Sequence, residues 1–547
     1  ANGRAIAAVQ KNGGVLATAY DKAGHIASET DANGHTTRYS YNRNGLVSKV
    51  TDALNQQASF EYDALGNITK ITAPGNAVTL YSYDSAGRAT GMIDPVGCET
   101  AYAYNEAGQL VSQTLNDNAS TYEYDAAGNL SAVTDAEGRR IAFSYDLNGR
   151  MTEILYPDGS KDTTQYDALG RTVKTVPRTG LATAYAYDAM GNILSVTQGE
   201  HVTRYEYDLL GRRIRQITAD GAETLYTYDA LGNLIGTADP LGHETSFDYT
   251  AESLLEKVTY ANGASQRLTY DLAGNVTAET DAEGHTKQYL YDKVNRLTAV
   301  IDQLGNKTTY AYDPLDNIAK VTDALRHITS YTYDKQGNLL TETDALGNTV
   351  KYAYTPEGWL QSVTKADGTV QTFDYDRTGS LLTQHVGDGQ TIQSGYNELG
   401  MVTTVSSEEG TITYQYNAQG YLISVTNVNG DVVSYTYDPY GNKTSMTYPD
   451  GKQVWYTYDD MNRMASATGL DGEVTAYAYD KAGRRIQAQT GDPASTGSLT
   501  TEYIYDSVGN LLEQTTSGAS SIVFHYSYNR NGYITGEKRT EDGTTTE

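Results

Sequence analysis

The chain has 547 residues, with 48 Tyr and 53 Gly against five Phe, two Trp, 10 Pro and one Cys, and a formal net charge of −28. This balance excludes a nucleic-acid backbone as partner, since phosphate binding needs clustered Lys and Arg, and it disfavours anionic membranes. The lone Cys98 excludes an internal disulfide, and no run of apolar residues is long enough for a membrane-spanning helix.

In chain order, the first residues, "ANGRAIAAVQ", show no basic stretch followed by an apolar core. No signal peptide is read there. The opening looks like the middle of a repeat, and the chain is expected to be a piece of a longer protein. From Tyr20 onward one phrase recurs: an aromatic residue, one residue, Tyr, then Asp, and Gly three residues after the Asp. The second aromatic marks 25 copies, from Tyr20 to Tyr528. Of the 24 intervals, 19 are 21 residues, three are 20, and the last two are 26 and 23. Residues 1–479 therefore read as a regular 21-residue array, and 480–547 as less regular terminal repeats of the same array.

Each column has a physical meaning. Aromatics two apart share one face of a strand. Four of the five Phe residues (Phe60, Phe143, Phe247 and Phe373) occupy the position before the marker, so a ring is wanted there and its hydroxyl is optional. The residue after the marker is Asp in 18 copies, Asn in five and Thr in two. All three offer a short oxygen to a backbone N–H of a turn, and a catalytic acid would not become Asn so often. Gly follows in 21 copies, the exceptions being Ser253, Asn295, Asp316 and Asn462. This predicts a type I turn closed by a left-handed glycine bulge, with Ser253 the one residue that does not fit.

About ten residues later comes a second turn, as in "DALG" (Asp344–Gly347) and "YPDG" (Tyr156–Gly159). Two turns per repeat give two strands: the aromatic strand, and one carrying aliphatics such as Ile68, Ile193, Leu234 and Leu339. Ile68 and Ile71 lie three apart, which reads as a bulge or a strand end. The fold class predicted is all-β, a long antiparallel sheet of repeated hairpins with about 50 strands. At about 4.8 Å per strand the ribbon is too long to stay flat, and uniform repeats add the same small rotation each time. The expectation is a sheet wound into a hollow spiral.

"YTYDALGNL" (Tyr226–Leu234), "YEYDAAGNL" (Tyr122–Leu130) and "YAYDKAGRR" (Tyr477–Arg485) closely resemble the YD repeat of the Rhs and teneurin families. The resemblance covers nearly the whole chain and implies a β-sheet cocoon. In bacterial Rhs toxins and the C components of Tc toxins, such a cocoon encloses a toxic domain; teneurins use a similar shell in adhesion. For this chain it implies a secreted or cell-surface shell around a cargo toxin domain, with that cargo and the delivery or cap domains lying outside the chain. The family's self-cleaving "DPxG" core is not carried over, because "DPVG" (Asp94–Gly97), "DPLG" (Asp239–Gly242) and "DPYG" (Asp438–Gly441) all lie at ordinary repeat turns. The residues assigned to the site are architectural: Tyr226, Tyr228, Asp229 and Gly232; Tyr122, Tyr124, Asp125 and Gly128; Tyr331, Tyr333, Asp334 and Gly337.

No catalytic residue, metal or cofactor is read. His243, His285 and His327 are spaced by two repeats each, about 19 Å of sheet, beyond the reach of one ion. Equivalent acids in every repeat offer no unique carboxylate pair for glycoside hydrolysis. The rival to the shell is an adhesin or carbohydrate-binding array, with rows of Tyr stacking on sugar. It stands against the simpler reading that the rings pack on their neighbours.

Overall fold

A computed structural model of the chain describes residues 6–387, 389–492, 495 and 497–546. Among the described residues there are 52 strands, and the only helical element is a 3-10 turn at Pro74–Asn76. The fold is all-β, built of hairpins that pair antiparallel with the next strand in chain order, as Glu223–Tyr228 with Leu234–Ala238, and Leu234–Ala238 with Glu244–Tyr249.

Contacts divide the chain into two units. The first comprises Ala1–Ala142, Leu268–Thr280 and His285–Gly400; the second comprises Phe143–Arg267, Asp281–Gly284 and Met401–Glu547. The same hairpin builds both.

The bulge expected from the spacing of the aliphatics recurs in the YD hairpins among the described pairings. Tyr62 pairs with Ile68, but Glu61 pairs with Lys70, so Thr69 is the extra residue. The skip places Ile71 opposite Phe60, which lines up two aliphatics with two rings although their sequence spacing is odd. The same register shift separates Thr227 from Tyr228.

The turn is also as expected. Asp229 N–H donates to Asn233 O (2.9 Å) and Gly232 N–H donates to Asp229 O (3.2 Å), with Gly232 at φ 93°. The four residues replacing this glycine adopt the same left-handed backbone: Ser253 at 62°, Asn295 at 64°, Asp316 at 69° and Asn462 at 58°. Ser253, the misfit by residue type, is no misfit in conformation; the surrounding hairpin imposes the angle on it.

Interval length resides in the second turn. Where the markers stand 20 apart, one residue is lost there and a two-residue turn results: Leu115 pairs with Asn118, Gln198 with His201, and Ser407 with Gly410. The 26-residue interval is taken up between the strands ending at Thr490 and starting at Leu499.

A conventional core is absent among the described residues: the buried apolar side chains are Ala32, Ala77, Cys98, Ala132, Ala222, Ala264 and Ala299. The accessible surface is 30838 Å² for a 59.4 kDa chain, where a compact globule of this mass exposes about 19,000 Å². The excess is what a sheet leaves when it has no second layer. In Glu223–Tyr228 the face of Thr224, Tyr226 and Tyr228 is half-buried, and the face of Glu223, Leu225 and Thr227 is exposed.

Candidate functional site: the tyrosine–aspartate turn

The marker Tyr ends the aromatic strand and its hydroxyl reaches into the preceding repeat. Tyr228 Oη donates to Arg213 O (2.9 Å), Tyr124 Oη to Leu110 O (2.8 Å) and Tyr333 Oη to Ile318 O (2.9 Å). The acceptor is the first residue of the aliphatic strand. Between neighbouring hairpins the ladder covers three residue pairs in most repeats, such as Arg215–Leu225, Gln216–Thr224 and Ile217–Glu223, and it stops short of the YD turn. The phenol supplies the hydrogen bond that the backbone does not make there. This explains why all 25 markers are Tyr while the preceding column admits Phe. In that column the hydroxyls find occasional carboxylates instead, as Tyr39 with Glu29 (2.7 Å) and Tyr289 with Glu279 (2.9 Å). The bond to Glu29 is the main cause that pushes the Tyr39 phenol up to about 12. Tyr122, Tyr226 and Tyr331 stand in this column, paired with Val133, Thr237 and Glu342.

The carboxylate after the marker is consumed by its own turn. Asp229 Oδ1 accepts the N–H groups of Leu231 (2.9 Å) and Asn233 (2.8 Å), and Oδ2 accepts the Asn233 amide (2.8 Å). Asp125 does the same with Ala127, Asn129 and the Asn129 amide, and Asp334 with Gln336, Asn338 and the Asn338 amide. The amide of Asn233 is the main cause that holds the Asp229 carboxyl below its usual range; Asn129 acts likewise on Asp125. Gly128 (φ 90°) and Gly337 (φ 93°) close their turns as Gly232 does.

One column escaped the sequence reading: the residue after the turn glycine. It is Arg in seven copies and Asn in nine. Arg212 Nε donates to Asp208 (2.7 Å), its Nη1 donates to Asp229 O (2.9 Å) in the next repeat, and its guanidinium lies 4.9 Å from the centre of the Tyr228 ring. Arg88, Arg150, Arg171 and Arg484 repeat the arrangement over Tyr104, Tyr166, Tyr187 and Tyr505. Elsewhere His25 or Tyr421 fills the slot and stacks on the next marker ring, and Trp359 lies against Tyr375 at a tilt of 46°. A flat polar or aromatic group predominates, though Leu46, Leu254, Ser380 and Met401 also stand in the column. The prevalence of Arg and Asn was the available signal.

His243 and His327 behave as turn residues. His243 Nδ1 lies 2.9 Å from Asp239 Oδ2, and His327 Nδ1 lies 2.9 Å from Asp323 Oδ2, each four residues apart within one second turn.

The two turns also meet across long sequence distances inside each unit. In the first unit the second-turn residue Asn33 donates to Asp271 of a YD turn (2.9 Å, 238 residues apart), and Arg139 donates to Thr378 (2.6 Å, 239 apart). Asn116 donates to Glu357 (2.6 Å, 241 apart). In the second unit Tyr440 Oη accepts Glu200 N–H (2.9 Å, 240 apart), Arg463 reaches Asp220 (3.2 Å, 243 apart) and Asn531 donates to Asp281 (2.7 Å, 250 apart). Second turns always stand on the earlier stretch and YD turns on the later one.

The family described as RHS Repeat matches residues 20–57, 62–97, 104–140, 124–161, 166–201, 207–244, 228–265, 249–286, 291–328, 317–349 and 333–370; the one described as Teneurin YD-shell matches residues 395–546. No curated protein matches. Among solved structures, the chain is similar to TcdB2-TccC3, at 16% identity and a TM-score of 0.58 over 96% of this chain. It is also similar to a Photorhabdus luminescens Tc holotoxin pore carrying a mutated TccC3, at 14% identity and a TM-score of 0.61 over 96% of this chain. It spans 37% and 39% of the length of those two chains. At these identities the likeness is one of fold. With the repeat matched over more than half of its length, the chain belongs to the RHS-repeat family.

Proposed function

We propose that this chain is the shell section of a bacterial YD-repeat protein, winding into a hollow wall that encloses and shields a cargo polypeptide, a toxin, for delivery outside the cell. The observation that carries the reading is the turn-to-turn seam, with an offset that stays between 238 and 260 residues in both units. In an array of equal repeats, a fixed offset is what a coil with a fixed number of repeats per turn produces. A wall without a second layer encloses space instead of filling it. The likeness of fold to TcdB2-TccC3 supports the same reading, and no residue needs to do chemistry for it.

The acidic balance suits a basic cargo. Many of its carboxylates, Asp125, Asp229 and Asp334 among them, are already bound to turn N–H groups, so charge attraction is a secondary part of the proposal. Protease protection tests the main part. A protease-sensitive passenger fused after Glu547 should be cut far more slowly than the free passenger, and the protection should vanish in urea that opens the array. Equal cleavage rates under native conditions would refute enclosure.

A further inference from the structure

The seam joins many nearly equivalent turns, yet three of its contacts are unlike the rest. At the ordinary ones, a four-residue second turn meets a YD turn without proline. Asn33 meets Asp271 of "DLAG", Arg139 meets Thr378 of "DRTG", and Asp220 meets Arg463 beside "DDMN". Three second turns on the seam are shorter. Pro74–Asn76 closes between the paired Ala73 and Ala77. Asn116 and Asp117 close between Leu115 and Asn118, and Gly199 and Glu200 between Gln198 and His201. Each of the three meets a YD turn with proline in its second place: "DPLD" (Asp313–Asp316), "TPEG" (Thr355–Gly358) and "DPYG" (Asp438–Gly441). No other YD turn of the 25 has proline there. Proline suits that place in any type I turn, so local preference does not explain its confinement to these three.

The contacts do explain it. Pro314, Pro356 and Pro439 are exposed, and the residue after each is half-buried. That residue enters the gap left by the shortened turn. A Cβ on Gly75 would stand 3.5 Å from Leu315 Cγ. Glu357 accepts the Asn116 amide (2.6 Å). Tyr440 Oη accepts Glu200 N–H (2.9 Å), its ring stacks on His201 at 4.3 Å, and a Cβ on Gly199 would collide with its hydroxyl. The proline fixes its own φ and so aims the next side chain. We propose that Pro314–Leu315, Pro356–Glu357 and Pro439–Tyr440 are register keys, the residues that select which repeat meets which across the seam. A slip of one repeat sets ordinary turn against ordinary turn nearly everywhere, because the repeats are alike. The keys alone then meet full-length turns that leave them no gap, and the short turns lose their filling side chains. This inference concerns the pairing of the seam and is independent of any cargo.

A double-mutant cycle on the full chain tests it. Pro439→Ala with Tyr440→Leu turns one key into the ordinary "DALG" found at Asp63–Gly66. A second variant replaces Gln198–His201 with the five residues of the full-length turn Asp239–His243, which removes the gap. Each alone should lower the urea midpoint. Combined, they should recover at least half of what the filled gap loses, because an ordinary turn then meets an ordinary turn. Should the filled gap block refolding outright, the combination should restore it. Paired cysteines, oxidised after refolding in a Cys98→Ala chain, read the register. Asp220→Cys with Arg463→Cys reports the native seam, where these residues meet. Asp220→Cys with Arg484→Cys reports a slip of one repeat. Without further change only the first pair should cross-link, and either single alteration of key or gap should raise the second pair severalfold. Losses that add, a combination that does not rescue, or a register that stays native in both altered chains overturns the proposal.

Discussion

The YD turn and the second turn share one backbone design, a four-residue turn with a left-handed fourth residue and an i to i+4 closing bond. They differ in what surrounds them. At the YD turn, the ladder between neighbouring hairpins stops early, and side chains replace it: the marker hydroxyl on a carbonyl, and a flat group laid over the next ring. At the second turn, the ladder runs up to the turn, as Ala238 with Glu244, and no such substitute is required. The lesson is that sequence constraint follows missing backbone hydrogen bonds. The YD rim, where the backbone bonds fall short, carries the invariant tyrosine. The second-turn rim varies in length and composition.

Four experiments break or sharpen this contrast, beginning with the one that touches most turns at once. Acidification should weaken the whole array. The carboxyls of Asp63, Asp84, Asp125, Asp188 and Asp229 are held below their ordinary value of 3.8 in the folded state. Their contribution is complete above about pH 4 and is lost as the pH falls through the lowered values. Urea midpoints measured from pH 6 downward should drop in that range. Turns that already use Asn, such as Asn105 with its bond to Gln109 N–H, should not respond. Converting several YD aspartates to Asn should flatten the acid response, and an unchanged response would remove the turns as its cause.

Next in size are the left-handed residues. Gly232→Val should cost about 2 kcal/mol, because a branched residue is forced to positive φ, and Gly242→Val (φ 83°) should cost the same on the other rim. Ser253→Gly should stabilise, since it relieves the one serine at such an angle. Urea titration of the three variants tests whether the turns are equal in backbone terms.

Tyr228→Phe should cost about 1 kcal/mol, the net value of one part-buried hydrogen bond. Tyr226→Phe should cost close to nothing, as Phe60 and Phe247 already stand in that column. Faster amide exchange confined to the repeat of Arg213 and Tyr228 would localise the loss. The smallest effect belongs to the flat column: Arg212→Leu should lose about 0.5 kcal/mol of stacking and hydrogen bonding, and Arg212→Asn should lose less. A double-mutant cycle with Tyr228 measures the coupling directly.

Much of the hairpin was legible before any coordinates. The odd spacing of Ile68 and Ile71 announced the bulge, and the Asp–Gly interval announced the turn. These are local effects, set by residues within one repeat. The role of the marker hydroxyl was not legible, because the acceptor sits in the preceding repeat on a carbonyl that any residue type supplies. Ser253 misled for a related reason: type preference is weaker than the angle its hairpin imposes. The seam left no periodic trace at all. Its partners lie about 240 residues apart and use Asn, Arg, Thr or Tyr as the place allows.

By itself the sequence determined the repeat, the two strands in it, their register and both turns, because a 21-residue period with fixed turn residues leaves the backbone one low-energy way to hydrogen-bond. Only the tertiary structure decided which rim meets which. Those contacts depend on how small rotations accumulate over many hairpins, and no single repeat carries that information.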